Sequence, residues 1–128
     1  MLREVSELES LGDACFNIAR QINRLEETQQ KMPATLMTRI RAIMQLVDNS
    51  IVEMRRIMDA PTEEVSIDNT IEIEKSINAL RNQLREQNIS DINDHLYDYT
   101  IGTIYIEIIN ECERLGDYVV NVVEARLR

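Results

Sequence analysis

Two stretches of this chain carry the same carboxylate phrase. "ESLGDACFNIA" spans positions 9–19 and "ERLGDYVVNVV" spans 113–123; a shift of 104 positions superposes six of the eleven residues from Glu7–Asn17 on Glu111–Asn121. The shared residues are Glu7 and Glu111, Glu9 and Glu113, Leu11 and Leu115, Gly12 and Gly116, Asp13 and Asp117, and Asn17 and Asn121. Unrelated helical segments match at roughly one such position, so the phrase is an internal repeat. In each copy Glu, Asp and Asn stand at i, i+4 and i+8, which puts their oxygens in a strip along one helix face. Like charges at i and i+4 cost a few tenths of a kcal/mol unless a cation compensates them. A basic side chain can do this, and so can a metal ion. Carboxylate and amide oxygens suit hard cations.

A strip needs a helix to hold it. The chain has three Gly and two Pro in 128 residues, and its apolar residues recur at three and four, which predicts an all-α fold. Leu8, Leu11, Cys15, Ile18, Ile22 and Leu25 mark helix 1 over about residues 3–30. Pro33 excludes continuation, and a heptad seam of Met37, Ile40, Met44, Val47, Ile51, Met54 and Met58 marks helix 2 from Ala34 to Asp59. Methionine on such a seam reads as core. After the loop "DAPTEEVSIDN", Ile73, Ile77, Leu80 and Leu84 predict a shorter helix 3, broken by "NISDIND". Helix 4 begins between Ser90 and Tyr97 and carries Ile101, Ile104, Ile108, Cys112, Leu115, Val119 and Val122 on one face. Short connections predict an antiparallel four-helix arrangement.

On this wheel Glu9, Asp13 and Asn17 lie opposite the apolar arc of helix 1, and the second copy repeats this. Both strips are therefore expected to face solvent. Glycine in mid-helix costs about 1 kcal/mol relative to alanine. Gly12 and Gly116, at one place in both copies, therefore predict that the two motif helices pack together there and bring the strips onto one face. Glu7 and Glu111, nearer the apolar arc, are placed either to assist the strips in holding a cation or only to make interhelix hydrogen bonds.

Composition narrows the function. A net charge of −9 and the lack of a Lys/Arg cluster speak against nucleic acid and for cations or basic partner surfaces. There is no apolar run of transmembrane length. Cys15 and Cys112 form no CxxC pair and read as reduced core cysteines of a cytoplasmic chain. His95 stands beside Asp91, Asp94 and Asp98 and reads as a neighbour of capping carboxylates rather than a ligand. No Ser/His/Asp set, glycine-rich phosphate loop, HExxH or Glu-x-x-His pair is present, which predicts no enzyme.

The phrases "ERLGDYVVNVV" and "ESLGDACFNIA" resemble the PhoU family, whose members are built from two three-helix repeats, each closing on E-R-[IL]-G-D-x-x-x-N-I. Ser10 departs from the usual Arg, and Asn78 stands where the middle helix often carries Asp. The resemblance implies that Glu9 with Asp13, and Glu113 with Asp117, are E-x-x-x-D metal motifs for iron, zinc, manganese or magnesium. It implies regulation of phosphate homeostasis. Helix 1 would be the last helix of a first repeat and helices 2–4 a second repeat, so the chain reads as one PhoU-like domain, a fragment of a longer protein. Its helices look like those appended to sodium/phosphate cotransporter-type proteins. This implies a cytoplasmic domain tethered to the inner membrane through an absent transporter domain. The partner would be that membrane domain or a phosphate-signalling protein, with a homodimer as a further possibility. The rival reading is a metal-free acidic interaction module.

Overall fold

The computed structural model describes residues 2–128. Four long helices follow in order: α1 (Leu2–Glu27), α2 (Ala34–Asp59), α3 (Asp68–Asn93) and α4 (Tyr99–Leu127), with one 3-10 turn at Thr62–Glu64. No strand occurs among the described residues. The all-α fold is as the periodicity predicts.

The helix ends have local causes. Thr28 and Gln29 turn the chain out of α1 through hydrogen bonds to Leu25 and Glu26 carbonyls, and Gln29 adopts a φ of 59°. Pro33 precedes α2 with no side-chain cap, as its fixed φ and missing N–H allow at a helix start. The Asp98 carboxylate accepts a hydrogen bond from the Ile101 amide at 2.9 Å and caps α4.

The fourth helix is the axis of the bundle. Ile101, Ile104, Ile108, Cys112, Leu115, Val119 and Val122 are all buried, as expected. Ile109, Gly116 and Val123 are buried as well, because α1, α2 and α3 all pack on α4. Helix α2 also packs on α3, whereas α1 rests on α4 and scarcely meets α2. The six-residue link from α1 to α2 therefore does not make them packed neighbours.

Four details differ from the sequence reading, the first being that α4 begins at Tyr99, beyond the Ser90–Tyr97 range expected for its start, because Asp98 caps it. Helix α3 does not break at "NISDIND" but runs to Asn93. Asn88 and Asp91 face inward, where polar partners satisfy them. Arg39 of α2 donates to Asp91 at 2.7 Å, Gln87 donates to Asp91 at 2.9 Å, and Tyr97 donates to Asn88 at 2.6 Å. Burial pushes the Asp91 carboxyl up, but the bonds from Arg39, Gln87 and Tyr97 hold it below the usual carboxylate range.

The buried face of α2 is Leu36, Ile40, Ile43, Val47, Ser50, Met54 and Ile57, rotated from the methionine seam. Both rows have heptad spacing, and the one with more branched aliphatic residues takes the core. Met44 is left 37% exposed on the side towards α1. In α1 the buried residues are Ala14 and Ile18, with Leu11 and Leu25 partly buried, while Leu8, Cys15 and Ile22 are exposed. Cys15 is thus not a core cysteine, and only Cys112 is buried. The apolar arc of α1 is wider than the surface of α4 that covers it.

Candidate functional site

The second carboxylate strip does not face open solvent. Glu113 and Asp117 are half-buried on the side of α4 that meets α3. Gly116 makes that approach possible: a Cβ there would lie 3.0 Å from Ile77 Cδ1. The close contact predicted from the glycines is therefore between α4 and α3, not between the two motif helices. No atom outside its own helix lies within 4 Å of where a Cβ of Gly12 would stand. Its mid-helix cost has no packing return in this chain.

From α3, Glu74 reaches the strip. Burial raises the Asp117 carboxyl above its usual range, and the neighbouring Glu74 raises it further. Burial also raises the Glu113 carboxyl, reinforced by Asp117 one turn away, while Arg81 and Arg114 pull it back down. Three acids thus crowd one seam. Arg81, two turns from Glu74, is the base that both acids feel, and it donates to Asn78 at 3.2 Å. The Nε of Arg81 is buried without a hydrogen-bond partner, as is Oδ1 of Asn110, one turn before Glu113 on the same face of α4.

The other phrase residues go elsewhere. Glu9 and Asp13 lie exposed on the outer side of α1. The groups that act on Glu113 and Asp117 come from α3 and α4. The four acids predicted to share one face are not brought together, because α1 meets α4 through Ala14 and Ile18 and not through Gly12. Asn121 leaves the strip and donates to Glu7 of α1 at 3.3 Å, the interhelix bond expected of Glu7. Glu111 is buried and paired with Arg114 one turn on. His95 sits exposed just after α3 in a left-handed conformation, its amide bonded to the Ile92 carbonyl.

Among the described residues no group of three or more His, Cys, Asp or Glu is disposed to enclose a metal ion. The donor set along the α3–α4 seam is nevertheless all oxygen, and it includes an orphaned amide oxygen at Asn110. That chemistry suits a hard cation held by a few side chains and completed by water. Sequence reasoning missed Glu74 and Arg81. Their signal was present in the spacing of Glu74, Asn78 and Arg81, a polar stripe along α3 beside Ile73, Ile77, Leu80 and Leu84.

An acidic helical bundle whose charged seam is ordered by interhelix packing is the class these features define. The family model for the PhoU domain matches residues 40–125. That span covers α3, most of α2 and nearly all of α4, and the chain belongs to the PhoU family. Neither the curated proteins nor the solved structures contain a match.

Proposed function

We propose that this chain is a regulatory domain acting in phosphate transport and homeostasis, whose α3–α4 seam binds a hard metal cation through Glu113 and Asp117 with help from Glu74. Membership of the PhoU family supports the regulatory part. The crowding of three carboxylates at a half-buried seam supports the cation part. Iron(III), manganese and magnesium fit the oxygen donors better than zinc, which more often takes nitrogen or sulfur ligands. The bound cation supplies positive charge where Arg81 and Arg114 are the bases that act on Glu113, and Arg81 the one that acts on Asp117. Glu113 and Asp117 hold that charge on α4, Glu74 ties it to α3, and Asn110 offers a neutral oxygen beside them. Neutralising the seam prepares it to dock against a partner surface, for which the membrane domain of a sodium/phosphate cotransporter-type protein is our choice. On this reading the domain works on the cytoplasmic side, tethered to the inner membrane through that transporter. Glu9 and Asp13, an exposed pair without a third acid, are a weaker second position.

The rival, a metal-free acidic interaction module, draws on one observation. Arg81 already stands against Glu113 and Asp117 and lowers both. Elemental analysis and calorimetric titration with manganese separate the two. The cation reading expects stoichiometric binding that Asp117→Asn abolishes and Asp13→Asn leaves intact. No binding by the parent chain supports the metal-free module, in which salt weakens partner contact and added metal does nothing.

A further inference from the structure

Cys15 and Cys112 lie far apart in sequence, but the packing of α1 on α4 sets them level. The two helices run antiparallel: Arg3 pairs with Glu124 at 3.6 Å, and Asn121 donates to Glu7 at 3.3 Å. Twelve residues along α1 from Arg3 stands Cys15, and twelve residues back along α4 from Glu124 stands Cys112. Equal rise per residue in the two helices keeps them at one height. Ala14, buried beside Cys15, puts a small side chain at the contact and lets the two backbones come close. Both thiols line one apolar cavity of 330 Å³, with Ile18, Met44, Val47 and Leu115 around them. Burial pushes the Cys112 thiol up to about 12, and the nearness of Cys15 adds to that rise. The pairing is set by the register of α1 on α4 and does not depend on what else packs against α1.

We propose that Cys15 and Cys112 are a redox pair, which a peroxide oxidises to a disulfide joining α1 to α4. Such a bond asks for Cα atoms about 5.5–6 Å apart. Helix axes about 8–10 Å apart allow it, since each Cα stands about 2.3 Å out from its axis. The reaction moves two electrons. The Cys15 sulfur takes one peroxide oxygen as the O–O bond breaks, giving the sulfenic acid and a first water. The Cys112 sulfur then attacks the Cys15 sulfur; the S–O bond breaks, and the hydroxyl leaves with the Cys112 proton as a second water. The first step falls on Cys15, because the buried Cys112 thiol holds its proton. A dithiol reductant reverses the bond by exchange. The bond matters most for α1, which rests on α4 and scarcely meets α2. It closes a long loop and ties down the helix with the fewest packed neighbours.

The test treats the full, reduced chain at low micromolar concentration with hydrogen peroxide, blocks the remaining thiols under denaturing conditions and maps the peptides by mass spectrometry without reductant. A link between Cys15 and Cys112 of one chain is expected, with the intact mass lighter by two hydrogen atoms. Cys15→Ser and Cys112→Ala should each abolish it, and in Cys112→Ala dimedone should trap the sulfenic acid at Cys15. Against a glutathione redox buffer, the equilibrium constant for the link should be about tenfold larger or more in the folded chain than in urea, because the fold holds the thiols together. Oxidation that stops at Cys15 as a sulfinic acid or a mixed disulfide, with Cys112 still a free thiol, overturns the proposal. A link formed as readily in urea as in the folded chain overturns it too, since the packing of α1 on α4 would then contribute nothing.

Discussion

Replacing each glycine in turn by alanine reads the packing of α4 directly. All three glycines are helical, so each substitution gains about 1 kcal/mol of helix propensity before any contact is counted. At Gly12 a new Cβ meets nothing within 4 Å, so the full gain should appear. At Gly102 the new Cβ would stand 2.4 Å from Ile92 Cδ1, 3.0 Å from Ile92 Cγ1 and 3.3 Å from Asn88 Oδ1. Ile92 can move its tip, but Asn88 is pinned, since it donates to the Gly102 carbonyl at 3.2 Å and accepts from Tyr97. Overpacking of this kind costs about 1–3 kcal/mol. Gly102→Ala should therefore lose about 1 kcal/mol net, some 2 kcal/mol below Gly12→Ala. Gly116→Ala, 3.0 Å from the flexible end of Ile77, should fall between them. Urea unfolding followed by circular dichroism measures all three. Tm shifts should follow the same order, with about 4 °C separating changes of 1 kcal/mol. Equal stabilisation by Gly12→Ala and Gly102→Ala would refute the close approach of α3 to α4.

Other consequences concern the buried polar groups. Asp91→Ala leaves Arg39 without its carboxylate partner and should cost about 3 kcal/mol in urea unfolding, with Asp91→Asn milder. Because the Asp91 carboxyl is held low in the folded state, its contribution is complete above the ordinary carboxylate range. It is lost as pH falls below about 4. The acid limb of a Tm-versus-pH curve should therefore flatten in Asp91→Asn. Cys15 should react with a thiol reagent in the native chain, whereas Cys112, buried and with its thiol pushed up to about 12, should react only on unfolding. Arg81→Gln, which removes the base facing Glu113 and Asp117, should strengthen manganese binding in a calorimetric titration. Weaker binding would make Arg81 a support of the site rather than a competitor for it.

The repeated phrase made part of this legible. Helix number, the bounds of α2 and the buried face of α4 follow from apolar spacing, because α4 is covered on several sides and most of its apolar residues are buried. The same logic misjudged α1 and α2. Each carries two adjacent apolar rows, and spacing alone does not say which row meets α4. Cys15 and Met44 were read as core for that reason and are instead exposed. Likewise Asn88 and Asp91 look like helix breakers until Arg39 and Tyr97, remote in sequence, supply their partners. The pairing of Glu113 with Asp117 was written in the i, i+4 spacing. Their partners Glu74 and Arg81 were not, since they depend on which helix Gly116 lets approach.

The cation site is tested most directly by following backbone amide resonances while manganese is added in substoichiometric amounts. Paramagnetic broadening centred on residues 110–118 of α4 and 74–81 of α3 is the expected result, with the amides around Glu9 and Asp13 spared. Broadening confined to α1, or none at any ratio, would contradict the α3–α4 seam as the site of metal binding.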